Sequence, residues 1–349
     1  MPIEHKPRHE LTVKASNSIN TVDTHTEGQP TRIITGGIGT VPGETMLEKQ
    51  QYFRQHLDHL RTVLLHEPRG HRDMFGCALT EPTVEGADFG ILFMHNSDYM
   101  DMCGHGTIGL STAVVELGMV KVESPETRIA YDTPCGLVTA TVAVADNKAR
   151  SVTFENIPAY VDHIDQSLDV PGIGNLQVDV SYGGNRFVWY SGDQAGVEIS
   201  AANADRIVEV SMQVMAAANE QLTVQDPLTG ESGSVNIATV MTAPHDKAHH
   251  QRHVHCFGNG QLDRSPGGTG TSARLAVLCA RGLIDIGQRT GFESGITGGV
   301  FHGQVLEQIK IGGRTAFRTT VSGAAHVTGI HQFVVDPEDP LRDGFLVDG

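Results

Sequence analysis

Cys103, a cysteine among glycines, is the residue whose surroundings best suit chemistry. It stands in residues 102–107, Met-Cys-Gly-His-Gly-Thr, just before an apolar segment of helical character. At a helix N-terminus the unpaired backbone N–H groups and the dipole favour a bound anion, and they favour a thiolate over a thiol. A thiolate beside a bound carboxylate can act as a nucleophile, or as a base on the carbon that carries the carboxylate.

The same pattern returns once, at residues 266–271, Pro-Gly-Gly-Thr-Gly-Thr, with Gly267 in the place of Cys103. Each copy leads into an apolar segment, 108–119 and 273–283, that ends near a glycine suited to a helix C-cap. The sequence therefore predicts two related halves. Each half has a glycine-rich helix N-terminus, and only the first carries a thiol.

Two helix N-termini that face each other would hold a carboxylate well, because glycines let the backbone approach a ligand closely. With a thiol at each, one could take a proton from one face of a carbon while the other returned it to the opposite face, which would invert the carbon. Glycine neither accepts nor delivers a proton. Gly267 therefore removes this symmetric inversion and leaves Cys103 as the single base.

The elements that must position the two turns follow the same order in both halves. Residues 19–36 alternate around a Glu-Gly-Gln-Pro turn and predict a hairpin, and Thr45 and Glu48 form a capping box before a helix. The apolar face of that helix is formed by Phe53, Leu57, Leu60 and Leu64. Strands are predicted around 76–79, 89–95, 128–131, 137–144, 151–155, 235–241, 254–257, 300–311 and 315–321, with a further helix at 204–222. We therefore expect two α+β halves with the site between them.

Composition excludes several classes of function. The 349 residues suit two domains, and the net charge of −16 disfavours nucleic acid and anionic membranes as partners. Five widely spaced cysteines without a C-x-x-C pair indicate reduced thiols, and neither a signal peptide nor an apolar run of roughly 20 residues is evident. We expect a soluble cytoplasmic protein with a loose tail at residues 1–18.

The two glycine-rich blocks, extended to residues 102–109 and 263–274, resemble the signature blocks of the proline racemase family. This family includes 4-hydroxyproline epimerases and trans-3-hydroxy-L-proline dehydratases. Supporting matches lie at residues 23–28, 67–71, 182–184 and 336–340. The resemblance implies a diaminopimelate-epimerase-like fold, with two similar lobes that each wrap strands around a central helix and an active site in the cleft. It also implies cofactor-free chemistry on a proline-like amino acid, and it allows a homodimer.

In this reading the first lobe covers residues 19–180 and the second covers 181–324, and the return of residues 325–349 to the first lobe is left open. Cys103 matches the first catalytic thiol. His105 and Asp263 match the catalytic groups that contact the ring nitrogen, where an acidic partner suits an ammonium. Backbone amides of four residues match those that hold the substrate carboxylate: Gly104, His105, Gly268 and Thr269.

Gly267 departs from the family pattern, because racemases and epimerases have a second cysteine there and dehydratases typically have threonine. One base suffices for dehydration, so we expect an enzyme that converts trans-3-hydroxy-L-proline to Δ1-pyrroline-2-carboxylate. Two alternatives are an epimerase or racemase that uses a substitute for the second thiol, and a protein that only binds proline analogues.

Other reactive side chains are expected to be structural. Four cysteines are predicted to be small buried hydrophobes: Cys77, Cys135, Cys256 and Cys279. His253 and His255 would share one face of a strand, within a histidine-rich run that begins at His245. Acidic ligands are sparse nearby, so we expect neutral, solvated imidazoles there and no metal.

Overall fold

The computed structural model describes residues 17–347 as a mixed α+β fold. Its helices are α1 (Met46–Tyr52), α2 (Asp58–Leu65), α3 (Gly104–Glu116), α4 (Gly192–Ala195), α5 (Ala204–Gln221) and α6 (Gly268–Ala280). Its strands are β1 (Asn17–Thr26), β2 (Gln29–Gly36), β3 (Phe75–Thr80), β4 (Phe89–His95), β5 (Tyr99–Met100), β6 (Glu126–Thr133), β7 (Gly136–Ala145), β8 (Lys148–Val170), β9 (Gly174–Tyr182), β10 (Arg186–Ser191), β11 (Ile237–Thr242), β12 (Gln251–Phe257), β13 (Gln261–Leu262), β14 (Arg289–Ser294), β15 (Val300–Ile311), β16 (Arg314–Gly323) and β17 (Ala325–Val335).

The same series of strand pairings occurs twice along the chain. In the first half β2 pairs parallel with β3, β3 antiparallel with β4, and β4 both antiparallel with β5 and parallel with β6. In the second half β10, β11, β12, β13 and β14 pair in the same way. Helix α3 follows β5 and helix α6 follows β13, so the two helices occupy equivalent places in the series.

Long strands join the two series. Strand β8 pairs with β9 and β16, and β17 returns from the end of the chain to pair with β1. The sequence indicated only a short strand at 151–155, because beyond this point the register shifts twice, after Val161 and after His163, and the alternation of apolar residues is lost.

Helices α3 and α6 run through the core, and almost every side chain on them is buried. Small and apolar residues on all sides explain this, because a helix without a polar face has no side to turn to water. The predicted C-caps are present. Gly118 and Gly282 lie just beyond the two helices with φ of 64° and 68°, in the left-handed region that favours glycine.

Several local expectations were met and others were not. The hairpin of β1 and β2 turns at Glu27 and Gly28 as predicted, and Thr45 caps α1 by accepting from the N–H of Glu48. The apolar helix that starts at α1 is interrupted by a π-helical turn, Phe53–Leu57, before α2. Most of the expected tail, residues 1–16, lies outside the described residues, while residues 17 and 18 belong to β1.

Of the four cysteines other than Cys103, which were all expected to be buried, two differ from that expectation. Cys77 and Cys256 are buried, but Cys135 and Cys279 are only partly buried. In the described part of the chain, no helix combines the length and the apolar character that crossing a membrane would take.

Candidate active site

Cys103 lies at the N-cap of α3, in extended conformation, and is 4 % exposed. Strand β5 and the short segment after it lead the chain into this position. The first hydrogen bond of the helix runs from the N–H of Thr107 to the carbonyl of Cys103, at 3.0 Å. The N–H groups of Gly104 and His105 precede this bond and therefore have no acceptor within the helix.

Helix α6 begins in the same way. Its N-cap is Gly267, and the N–H of Thr271 donates to the Gly267 carbonyl at 2.9 Å. The N–H groups of Gly268 and Thr269 precede this bond, so a second set of backbone donors is available beside the first.

The two helix N-termini meet at Gly104 and Gly268. A Cβ atom built on Gly104 would lie 2.6 Å from the Cα of Gly268 and 2.9 Å from Cζ of Phe154. Only glycine permits this approach of two backbones. The structure therefore brings together the four residues whose amides were predicted to hold a carboxylate.

His105 lies between the thiol and a carboxylate. The Sγ atom of Cys103 is 3.5 Å from Nε2 and 3.6 Å from Nδ1 of His105, and Nδ1 is 3.9 Å from Oδ2 of Asp263. All three side chains are buried, so these groups interact in surroundings of low polarity. The three residues expected to be catalytic thus form one constellation.

Asp263 is held by its own loop. Its Oδ1 atom accepts from the backbone N–H and the hydroxyl of Ser265, both at 2.8 Å, which leaves Oδ2 directed towards His105. The next residue, Arg264, pairs with Asp73 at 2.7 Å, and its backbone N–H donates to Gln29. These bonds tie the loop before α6 to the first half of the chain.

Burial sets the protonation of the thiol and the imidazole. Burial raises the pKa of Cys103 well above the usual thiol value, and it outweighs the N–H of Gly106, which acts in the opposite direction. Burial also lowers the pKa of His105, against the attraction of Asp263. The helix N-terminus was expected to favour the thiolate. Desolvation is the larger effect, so the resting residue is a thiol beside a neutral imidazole.

In the cavity that Cys103 lines, the side-chain position of Gly267 is filled by the ring of a histidine from β12, His255. A Cβ atom on Gly267 would lie less than 3.0 Å from Nε2 of His255, and φ of Gly267 is 75°. His255 is 1 % exposed and His253 is fully buried, with ring centroids 4.7 Å apart. The expectation of solvated imidazoles was wrong for His253 and His255, because β12 lies inside the sheet, paired with β11, β13 and β14.

The cavity between these groups has apolar walls that the sequence did not indicate. Phe75 packs edge-on against His105 with ring centroids 4.5 Å apart, and Phe257 lies 5.3 Å from Phe75. Ile237 and Asn185 also line the cavity. These residues come from several strands far apart in the chain, so spacing carried no signal for them. The nearest hint was Asn185, which directly follows the Tyr-Gly-Gly block.

A wider surface pocket of about 580 Å³ adjoins the cavity. The two share Met100, Asn185, Ile237 and Phe257 as lining residues, so a ligand would reach the thiol from this side.

The α+β fold places a buried thiol at a helix N-terminus, beside backbone N–H groups that can bind an anion. Residues 21–346 match the family model described as proline racemase, and the chain belongs to the proline racemase family. The chain is 40 % identical to a proline racemase of Clostridioides difficile over 335 residues, 96 % of this chain and 100 % of the relative.

Relatives with other activities are equally similar. Identity is 42 % to a 4-hydroxyproline 2-epimerase of Streptosporangium roseum and 39 % to a trans-3-hydroxy-L-proline dehydratase of Burkholderia cenocepacia, each across 96 % of this chain and 100 % of the relative. A hydroxyproline epimerase from Agrobacterium vitis, solved with bound trans-4-hydroxy-L-proline, superposes with a TM-score of 0.88 at 28 % identity, over 96 % of each chain. Overall similarity therefore identifies the family and does not separate isomerase from dehydratase.

Proposed function

We propose that this protein dehydrates trans-3-hydroxy-L-proline to Δ1-pyrroline-2-carboxylate, with Cys103 as the base. The observation that carries the proposal is the asymmetry of the site. Of the five cysteines in the described part of the chain, Cys103 is the one that lines the cavity, and Gly267, which lines it too, supplies neither an acid nor a base. One base can remove a proton, but inversion also needs a donor on the opposite face.

The substrate is held at two points in this proposal. Its carboxylate accepts from the N–H groups at the starts of α3 and α6, where both helix dipoles are favourable. Its ring ammonium lies against His105 and Asp263, whose carboxylate supplies the compensating charge. The methylene groups of the ring contact Phe75, Phe257 and Ile237. This orientation presents the α-carbon to Sγ of Cys103.

Binding also prepares the thiol. The ammonium of the substrate is a positive charge close to Sγ, and a nearby opposite charge lowers the pKa of a thiol. His105, at 3.5 Å from Sγ, accepts the thiol proton, and the Asp263 carboxylate beside it offsets the positive charge that the ring gains. Substrate binding thus favours the thiolate, whereas burial favours the thiol in the free enzyme.

The steps then balance without a cofactor. The thiolate takes the α-proton, so a C–H bond breaks and an S–H bond forms. The electron pair left on the α-carbon forms a double bond to C3 as the C3–O bond breaks, and the departing oxygen takes the proton from Cys103 and leaves as water. The enamine product then moves its N–H proton to C3 and becomes the cyclic imine.

The stereochemistry of the substrate suits a single group. In trans-3-hydroxy-L-proline the hydroxyl lies opposite the carboxylate and therefore on the same face as the α-hydrogen. Cys103 can remove the proton and return it to the leaving hydroxyl without a second acid. A one-sided site is thus sufficient for this reaction and insufficient for inversion.

Incubation with trans-3-hydroxy-L-proline, followed by NMR, tests the proposal. The expected result is the imine, together with little or no conversion of trans-4-hydroxy-L-proline to its 2-epimer. Clear epimerisation of the 4-hydroxy compound without imine from the 3-hydroxy compound would reject dehydration.

Epimerisation is the second candidate function, and one observation favours it. The ring of His255 lines the same cavity as Cys103 and lies beside Gly267, where a group that returns the proton would be needed. An epimerase would incorporate solvent deuterium at the α-carbon of both isomers and interconvert them. The dehydratase would exchange the L-isomer alone.

The proposal includes a two-lobe arrangement, with residues 19–180 and 325–349 in one lobe, residues 181–324 in the other, and the site in the cleft. The pairing of β17 with β1 supports the assignment of the C-terminal segment to the first lobe. The tie between Arg264 and Asp73 would then bridge the lobes beside the site.

A further inference from the structure

We propose that His255 and Gly267 form a coupled pair that closes the second face of the site and restricts proton transfer to the face of Cys103. This inference rests on the proposed function and adds the residue that decides between dehydration and inversion. In this role His255 is a steric barrier, and it neither donates nor accepts a proton from the substrate.

Space is the first argument. The ring of His255 occupies the notch at the start of α6 that two missing side chains create. A Cβ atom on Gly267 or on Gly270 would lie less than 3.0 Å from Nε2 of His255. Real Cβ atoms do not approach a ring nitrogen so closely, so any larger residue at position 267 or 270 would require the ring of His255 to move.

The fixed position of the ring is the second argument. Nδ1 of His255 is 2.7 Å from Oγ1 of Thr239, and Nε2 is 2.9 Å from the carbonyl oxygen of Pro266. Because a carbonyl only accepts, Nε2 carries the proton and donates it to Pro266, while Nδ1 accepts from the Thr239 hydroxyl. Both nitrogens are thus committed to protein partners.

The neutral charge of the His255 ring also prevents it from donating a proton to the substrate. Burial lowers the pKa of His255 well below its ordinary value, and the neighbouring His253 acts in the same direction. At neutral pH the ring is uncharged, and its one N–H proton is bound to Pro266. A carbanion formed on the face of Cys103 therefore finds no available proton on the opposite face.

One consequence concerns restoration of the second thiol. Gly267→Cys alone would force its Cβ into His255 at a backbone φ of 75°. We therefore expect the single variant to gain no racemase activity, and the double variant Gly267→Cys/His255→Ala to gain it, because removal of the imidazole makes room for the thiol.

His253 supplies a matched control. Its Nε2 atom also donates to the Pro266 carbonyl and its ring is equally buried, but the three atoms nearest to a Gly267 Cβ all belong to His255. We expect Gly267→Cys/His253→Ala to behave like Gly267→Cys. Equal gains in the two double variants would contradict a specific role of His255.

The experiment measures two properties of the wild type, the single variants and both double variants. The first is conversion of L-proline and of trans-4-hydroxy-L-proline to their C2 epimers in deuterated buffer. Neither compound has a hydroxyl at C3, so the result is independent of imine formation and hence of the proposed dehydration. We expect at least about 100-fold faster conversion by Gly267→Cys/His255→Ala than by Gly267→Cys, the usual contribution of a placed acid or base.

The second property is the melting temperature, which gives an answer even where no variant turns over. Gly267→Ala is expected to lower it several degrees less in the His255→Ala background than in the wild type, because the steric conflict is then absent. The strain of a positive φ is present in both backgrounds and cancels. If Gly267→Ala lowered the melting temperature equally in both backgrounds, His255 and Gly267 would not be coupled.

Exchange of the α-hydrogen of D-proline, measured in the wild type and in two histidine variants, gives a further test. His255→Gln is expected to leave the enzyme without exchange of the α-hydrogen of D-proline, as in the wild type. Exchange of D-proline by the wild type that His255→Gln abolishes and His253→Gln does not would assign His255 as the second acid–base group, and would reject the barrier role.

Discussion

The backbones of Gly104 and Gly268 touch at the point where two buried helices begin. This contact places two sets of backbone N–H donors side by side, within reach of the thiol of Cys103. Neither helix alone provides such a site, because the first turn of one helix offers donors on one side only. The contact therefore explains why the glycine-rich pattern occurs twice.

Substitution of Gly104 by alanine tests the contact. The added methyl group would meet Gly268 and Phe154, so we expect the helix N-termini to separate, with a loss of about 1–3 kcal/mol in stability from overpacking. The affinity for pyrrole-2-carboxylate, a planar analogue, should fall with it. Gly36→Ala is the matched control, because the nearest atom to its Cβ is 3.7 Å away. Unchanged affinity in Gly104→Ala would mean that the contact does not shape the site.

Removal of the thiol should abolish proton abstraction. We expect Cys103→Ala to lower the rate of α-hydrogen exchange and of imine formation by about 10²–10⁴-fold, the usual effect of a general base. Cys279→Ser removes a thiol that does not line the cavity and should retain activity. Mass spectrometry of substrate recovered from deuterated buffer measures the exchange. Equal activity of the two variants would exclude Cys103 as the base.

The charge of Asp263 should matter for a substrate that carries an ammonium. We expect Asp263→Asn to raise the KM for the amino acid by about 10–100-fold, the value of one charge-assisted hydrogen bond. Binding of pyrrole-2-carboxylate, whose ring nitrogen is uncharged, should weaken less. Steady-state kinetics gives the KM for the amino acid, and calorimetry gives the affinity for pyrrole-2-carboxylate. Equal losses for the two compounds would show that Asp263 does not recognise the charge.

Buried histidines should make the fold sensitive to acid. Burial lowers the pKa of His253 to about 4. The unfolded chain, with its ordinary pKa of about 6.5, binds a proton between these values that the folded chain does not, so stability is full above pH 6.5 and is lost as the pH falls towards 4.

His253→Gln should therefore reduce this dependence by up to about 1.4 kcal/mol per pH unit. Denaturant unfolding at pH 4.5 and 7.5 measures it. His59→Gln, at an exposed position on α2, is the control. If the free energy of unfolding fell equally in both variants as the pH is lowered, His253 would not be a source of the acid sensitivity.

Much of the framework could be predicted from local patterns. The two glycine-rich helix N-termini, the capping glycines and the hairpin at Glu27 follow from short-range chemistry. Helices α3 and α6 begin at Gly104 and Gly268, earlier than the expected helical segments at 108–119 and 273–283. Strands β4 and β15 have the predicted bounds, because turn residues delimit them.

Properties that depend on packing could not be predicted. The burial that raises the pKa of Cys103 depends on a core cluster whose members, among them Ile33, Phe187 and Phe301, are distant in sequence. The relation of His255 to Gly267 needs the geometry of β12 against α6, and the walls at Phe75 and Phe257 need the pairing of whole strands. Spacing along the chain contains none of these distances.

The central claim is that one group, Cys103, both removes the α-proton and protonates the departing hydroxyl on the same face. The most direct measurement compares the initial rates of imine formation from trans-3-hydroxy-L-proline and cis-3-hydroxy-L-proline. In the cis isomer the hydroxyl lies on the face opposite the α-hydrogen, beyond the reach of Cys103. We predict rapid dehydration of the trans isomer, with dehydration of the cis isomer slower by at least about 100-fold. Equal rates, or faster reaction of the cis isomer, would require an acid on the second face and would contradict the account.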